Sequence, residues 1–185
     1  MPRSSSLAAI LFLASISLAP SISTLAGAEA PRPDGGWEAV RQKATPFEVK
    51  DLAGRPLRLA DLAGKVVVID FWASWCVPCV RELPEIAAWH RRLASRSDVA
   101  LLSFNVGEDR AAVEAFLQAS PVSFPVYCGD ALVDPLGLAA FPTKLILDAR
   151  KLAEDGSALV RFRREGLTPV ASIEERVAAL LAEAP

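Results

Sequence analysis

The sequence predicts an α/β layer fold with a partly parallel sheet, and three observations lead to it. Residues 66–72 form a continuous apolar, β-branched run broken only by Asp70, which reads as a buried central strand. Helix-spaced segments alternate with further strand-like runs, the strand–helix–strand–helix order of layered folds. The composition is that of one globular domain, 185 residues with 52% hydrophobic and 23% charged.

The first 28 residues stand apart from that domain. Arg3 precedes an apolar run at 7–18, Pro20 ends it, and Ala26-Gly27-Ala28 offers small residues for cleavage, the three-part plan of a secretory signal. The run falls short of the about 20 apolar residues a bilayer span needs, so cleavage is expected, with an uncleaved anchor as the alternative. No Cys near the cut invites lipidation. Residues 29–44, opening with two Pro and two Gly, read as a flexible leader to a domain at 45–185. In that domain 47–50 and 57–59, around Gly54 and Pro56, suggest an N-terminal hairpin.

Past the central strand, 77–95 has helical spacing, with Val80, Leu83, Ala87 and Ala94 opposite Arg81, Glu85, Arg92 and Arg96. A strand at 99–106 and a helix at 111–119 follow. Short strands at 124–127 and 145–148 flank a helical turn near 134–139. A strand at 159–164 and an amphipathic helix at 173–183 close the chain.

Charge and rare residues narrow the function. Lys plus Arg number 20 against 22 Asp plus Glu, so no basic excess points to nucleic acid. One His argues against His-rich metal sites and a Ser–His triad. Ten Gly without a three-residue period exclude collagen, and three Cys are too few for a disulfide-stapled mini-protein. Export places those Cys in an oxidising compartment.

The chemistry concentrates in Trp75-Cys76-Val77-Pro78-Cys79, between the buried strand and the amphipathic helix. Cysteines three apart at a helix start close a disulfide with little backbone change. Unpaired N–H groups and the helix dipole favour a thiolate on Cys76, lowering its pKa and making it the nucleophile. Cys79, one turn inside, suits the resolving role. Pro78 fits a first turn, where its missing N–H costs nothing. Half of a zinc site has the same spacing, but only Cys128 and His90 remain as ligands, so redox chemistry is the reading and no metal or cofactor is expected.

Two carboxylates compete to move the proton. Asp70, among Val, Ile and Phe, is costly to ionise, and no Lys or Arg in 99–106, the expected neighbouring strand, offsets it. Glu82 stands three residues after Cys79, on an adjacent helical position. Both are expected to tune the pair, Asp70 chiefly the Cys79 proton.

Residues 67–84, Val-Val-Ile-Asp-Phe-Trp-Ala-Ser-Trp-Cys-Val-Pro-Cys-Val-Arg-Glu-Leu-Pro, resemble the active-site segment of the thioredoxin superfamily, and within it the exported TlpA/ResA-like thiol-disulfide oxidoreductases. Phe47, Gly64-Lys65, Phe124-Pro125-Val126 and Phe141-Pro142-Thr143 extend the likeness from about residue 45 to 181. It implies a thioredoxin-like fold, a central mixed sheet with helices on both faces. It implies attack by Cys76, resolution by Cys79, and Pro142 as a cis-proline facing the disulfide beside a strand-pairing substrate. Trp75, Pro78, Phe141 and Thr143 would form the substrate-contacting rim. Pro84 matches the proline that bends the active-site helix. The Asp at position 70 is the thioredoxin residue, where many TlpA/ResA relatives carry Asn, and Glu82 matches the Glu that ResA-like proteins place near the disulfide. The implied partners are protein thiols and disulfides, apocytochrome c or another exported thiol protein among them, and a membrane thiol electron donor recharging a monomer.

Two alternatives share the fold. A thiol peroxidase would want Thr three residues before its Cys, where Ala73 stands, and a Sco-like copper carrier would want wider Cys spacing and a downstream His. The remaining residues read as structural. Cys128 is expected to be a buried apolar thiol, His90 to pack at a helix edge beside Ile86 and Leu93, and Arg161, Arg163 and Arg164 to line a strand's wet face. Trp72 reads as core or as contact surface with Trp75, and 149–157 as a long turn.

Overall fold

The computed structural model describes residues 36–185; the signal-like segment and most of the leader lie outside them. The strands are β1 (Glu38–Ala44), β2 (Glu48–Lys50), β3 (Pro56–Arg58), β4 (Lys65–Trp72), β5 (Val99–Asn105), β6 (Val126–Cys128), β7 (Thr143–Ala149) and β8 (Ala158–Glu165). The helices are α1 (Val77–Leu93), α2 (Arg110–Ala119), α3 (Asp130–Leu136) and α4 (Val170–Ala182). Six strands form one sheet in the order β1-β8-β7-β4-β5-β6, and β2 and β3 form the expected hairpin. The β4, β5 and β6 ladders are parallel and those joining β4, β7, β8 and β1 antiparallel, so the sheet is mixed.

The central strand is buried on both sides, as its unbroken apolar sequence demands. Val67, Ile69 and Phe71 face a core shared with the hairpin and with Leu132 and Leu136 of α3. Val66 and Val68 face the opposite way, onto Ile86 and Trp89 of α1 and Ile173, Val177 and Leu180 of α4. Helices therefore cover both faces. Side chains two residues apart share a face, so Asp70 points to the α1 side, between Val68 and Trp72. Trp72 is fully buried with Cys79 and Leu83, its ring 5.6 Å from that of Phe116 on α2, so it is core and not contact surface.

Two expectations need correction here. The leader is not loose to residue 44, because Glu38–Ala44 forms β1, an edge strand paired with β8. Its sequence, Glu-Ala-Val-Arg-Gln-Lys-Ala, is polar because only one side is covered, which hides it from an apolar search. Trp37, just before it, is buried against α4 and its indole N–H donates to Ser172 Oγ at 3.0 Å. The three arginines of β8 are half-buried, not a wet face. Arg161 pairs with Glu183 and Asp148, Arg163 donates to the carbonyls of Leu136 and Gly137, and Arg164 donates to Thr168 Oγ1.

Candidate active site

Strand β4 ends at Trp72, and the Ala-Ser-Trp loop delivers Cys76 to the start of α1. Cys76 is the N-cap of that helix: its backbone is extended and its Sγ accepts the Cys79 N–H at 3.3 Å. A sulfur thus occupies the place where a helix start offers free N–H groups and the positive end of its dipole. Pro78 lies in the first turn, which lacks no hydrogen bond by its presence. Cys76 and Cys79 are joined by a disulfide, with Cα atoms 5.2 Å apart. Cys76 keeps 6% of its surface exposed and Cys79 none, which makes Cys76 the sulfur a partner reaches first.

The rim is unequal. Trp75 is 62% exposed and Val77 68%, two large apolar side chains in water beside the disulfide. Trp75 meets Phe141 edge-on at 6.2 Å. The Phe141–Pro142 peptide is cis, and Pro142 is buried. Its loop is pinned from both sides, since Gly166, at φ +83°, donates its N–H to Pro142 O at 2.8 Å and Thr143 Oγ1 donates to Ala140 O at 2.7 Å. Thr143 was expected in the contacting rim. It is fully buried with its hydroxyl spent on the loop, so it shapes the rim from below.

Beneath the disulfide the structure differs most from expectation. Asp70 is buried, but it is not alone: Lys144 of β7 pairs with it across the antiparallel ladder, with Nζ 2.9 Å from Oδ1. Both groups are buried, so the pair is an internal ion pair rather than a surface one. The same ammonium donates to Glu82 Oε1, and Glu82 Oε2 accepts the Thr168 N–H at 3.2 Å. Glu82 is therefore no solvated helix residue; it is 6% exposed and turned into the molecule. Burial pushes the Lys144 ammonium below its ordinary range and Arg164, its β8 neighbour, adds to that, while the Asp70 carboxylate pulls it back up. The counter-charge comes from β7, not from β5, where Ser103 stands opposite Asp70. The signal was a Lys in the otherwise apolar run Thr143-Lys144-Leu145-Ile146-Leu147.

A second cluster was also missed. Glu108 accepts the Ser74 N–H at 2.6 Å, the Ser74 hydroxyl, and the Asn105 amide at 2.7 Å, tying the loop before Cys76 to the end of β5. Cys128, expected to be buried, is an exposed free thiol, because it ends the short edge strand β6. His90 packs on Phe124, ring centroids 6.2 Å apart. Among the described residues no three His, Cys, Asp or Glu side chains are placed to hold a metal ion.

Comparison with known proteins agrees with this geometry. Residues 40–152 match the model of the AhpC/TSA family. The chain is 35% identical over 112 residues to the thiol-disulfide oxidoreductase ResA of Geobacillus thermodenitrificans, covering 60% of this chain and 64% of that protein. It thus spans less than two thirds of that relative's length. It is 32% identical over 121 residues to the thioredoxin-like protein YneN of Bacillus subtilis, covering 62% of this chain and 68% of that one. The crystal structure of a thioredoxin-family thiol:disulfide interchange protein from Chlorobium tepidum superposes with a TM-score of 0.64 at 24% identity, over 78% of this chain and 99% of the other. With more than half its length matched by that model, the chain, a thioredoxin-like fold around a Cys76–Cys79 disulfide, belongs to the AhpC/TSA family.

Proposed function

We propose that this protein is an exported thiol-disulfide oxidoreductase that reduces disulfides in other proteins. The observation that carries the reading is a disulfide at a helix N-terminus whose first sulfur is reachable and whose second is sealed. In the reduced protein the Cys76 thiolate attacks a substrate disulfide, forming a mixed disulfide and releasing one substrate thiolate. Cys79 then attacks Cys76, closing the internal disulfide and releasing the second substrate sulfur. The two cysteines lose two electrons and the substrate gains them. Trp75, Val77 and Phe141 give the partner an apolar landing next to the reacting sulfur. The signal-like segment supports work outside the cytoplasm, where apocytochrome c or another exported thiol protein is the substrate and a membrane thiol protein the electron donor.

Insulin-disulfide reduction tests the reading: wild type precipitates the insulin B chain and Cys76→Ser does not. In Cys79→Ala the mixed disulfide cannot resolve, so substrates accumulate on Cys76 and are identified from the trapped complexes. A midpoint potential near that of thioredoxin, about −270 mV, fits a reductant; one near about −120 mV makes the protein an oxidant. The AhpC/TSA match favours asking about peroxide as well, but Ala73 occupies the place where a peroxidase has Thr, so peroxide turnover is expected to be negligible.

A further inference from the structure

We propose that a cationic groove at the end of the sheet remote from the disulfide is a docking site for an acidic segment of a partner protein. The site goes beyond the redox reading and does not depend on it.

The groove has a volume of about 410 Å³ and is walled by Arg41 and Lys43 of β1, Lys151 and Leu152 of the β7–β8 loop, and Ser157 and Leu159 at the entry to β8. The ladders fix its place. β7 meets β4 with Thr143 opposite Phe71 and Ala149 opposite Lys65, and β8 meets β7 with Glu165 opposite Thr143 and Leu159 opposite Asp148. The disulfide follows the Trp72 end of β4, so the groove lies at the other end, about 25 Å away for a strand of eight residues at ~3.3 Å each.

Two features point to a ligand. The first is charge of one sign: three cations line the groove and no acid does. Lys43 pairs with Asp155, but both side chains are more than half exposed, a contact that a partner can displace. No carboxylate among the described residues pairs with Arg41 or Lys151. The cleft between α1 and α4, by contrast, sets Arg92 against Glu174. The second feature is an apolar patch. Of the large apolar side chains exposed among the described residues, Trp75 and Val77 flank the disulfide, and Leu167 follows Gly166, which holds the cis-proline loop. Leu159 alone lies elsewhere, in this groove.

Charge and shape choose the occupant. The whole chain carries a net charge of -2, so unpaired cations gathered in one place attract an acidic group that the rest of the surface repels. A small inorganic anion would meet the cations and leave Leu152 and Leu159 in water. An anionic bilayer takes clusters of about 4–8 basic residues, and three on an acidic chain fall short. A segment alternating acidic and apolar side chains meets both parts at once, and the margin of the sheet is open to it because β1 pairs only with β8. Cations on an edge strand also deter pairing with another chain. That role explains neither Lys151, which comes from a different loop, nor the exposed Leu159. A partner held here leaves Cys76 open at the opposite end, so docking and thiol exchange proceed together.

The test titrates full-length, oxidised, isotope-labelled protein with a blocked Glu-Leu-Glu-Leu-Glu peptide, following backbone amide signals by NMR. Signals of Arg41, Lys43 and residues 151–159 are expected to shift to saturation, and those of Trp75 and Phe141 to stay still. The peptide with Gln for Glu binds at least about threefold more weakly, and so does the original peptide to Arg41→Gln/Lys151→Gln, since each exposed charge contact is worth a factor of about 1.4–5. Leu159→Ser also weakens binding, which a purely ionic contact would not show. Raising salt from about 0.1 M to 1 M cuts the screening length from about 10 Å to 3 Å and weakens binding further. Insulin-disulfide reduction by Arg41→Gln/Lys151→Gln stays at the wild-type rate. Equal affinity for the Glu and Gln peptides, shifts confined to the rim of the disulfide, or binding to phosphatidylglycerol vesicles with no response to the peptide overturns the proposal. A wild type inactive toward insulin overturns the oxidoreductase reading instead.

Discussion

Glu108 closes a small polar ring behind the nucleophile loop, and its chemistry makes it hard to replace. All three partners donate to it: the Ser74 N–H, the Ser74 hydroxyl and the Asn105 amide. Burial disfavours its charge, but hydrogen bonds from Ser74 and Asn105 outweigh that and hold the carboxyl below its ordinary range. A glutamine can keep its carbonyl oxygen toward the two N–H donors and turn its NH₂ to the Ser74 hydroxyl, but it loses the charge that strengthens all three bonds. Glu108→Gln is therefore expected to lower stability by about 1–3 kcal/mol at pH 7, measured by urea unfolding. Because the carboxyl's pKa is depressed by folding, its contribution is present above the unfolded value and fades as pH falls through the folded one, so the wild-type advantage shrinks in acid. An equal gap at pH 7 and pH 3 contradicts the assignment. Cys128 makes a simpler residue-scale prediction. In the oxidised protein it alone reacts with a maleimide without denaturant, giving one labelled cysteine; reduction exposes a second, Cys76, ahead of the sealed Cys79.

At the scale of elements, the segments that were legible in the sequence are those whose burial is two-sided or cleanly periodic. β4 announces itself as an apolar run because it packs on both faces, and α1 because its apolar stripe meets the sheet. β1 was illegible for the opposite reason: an edge strand covered on one side keeps Glu38, Arg41 and Lys43 in its sequence and reads as a loop. Its integration into the domain is testable at its first buried anchor. Trp37→Ala removes a fully buried indole and its bond to Ser172, and is expected to cost about 3–5 kcal/mol, while Trp37→Phe keeps much of the packing and costs less. If the segment were a flexible leader, both variants would unfold at the wild-type urea midpoint.

For the whole molecule, the same distinction explains the site. Cys76 and Cys79 were legible because their chemistry is carried by one short motif, and Pro142 through the likeness of Phe141-Pro142-Thr143 to the family. The Asp70–Lys144–Glu82 cluster was not, since its members come from β4, β7 and α1 and meet only through an antiparallel register that no local pattern reveals. Folding also sets the molecule's response to acid. His90 sits in the last turn of α1, where the helix dipole favours its cation, yet burial and then the charge of Arg91 lower its pKa, so burial wins. Asp148, held low chiefly by its hydrogen bonds to Arg150, and Glu108 are likewise depressed. For all three the unfolded chain binds the proton more readily than the fold, so stability rises with pH across each titration. The His90 share is complete above the unfolded value of about 6.5 and is lost as pH falls from there through its lower folded value. The carboxylates give up theirs at more acidic pH. Wild type is therefore expected to lose stability in two stages on acidification, and His90→Gln, which keeps a polar group against Phe124 but cannot titrate, to lack the first. Urea midpoints of the oxidised protein between pH 8 and pH 3 separate the stages; a variant that retains the stage below about pH 6.5 rules His90 out as its source.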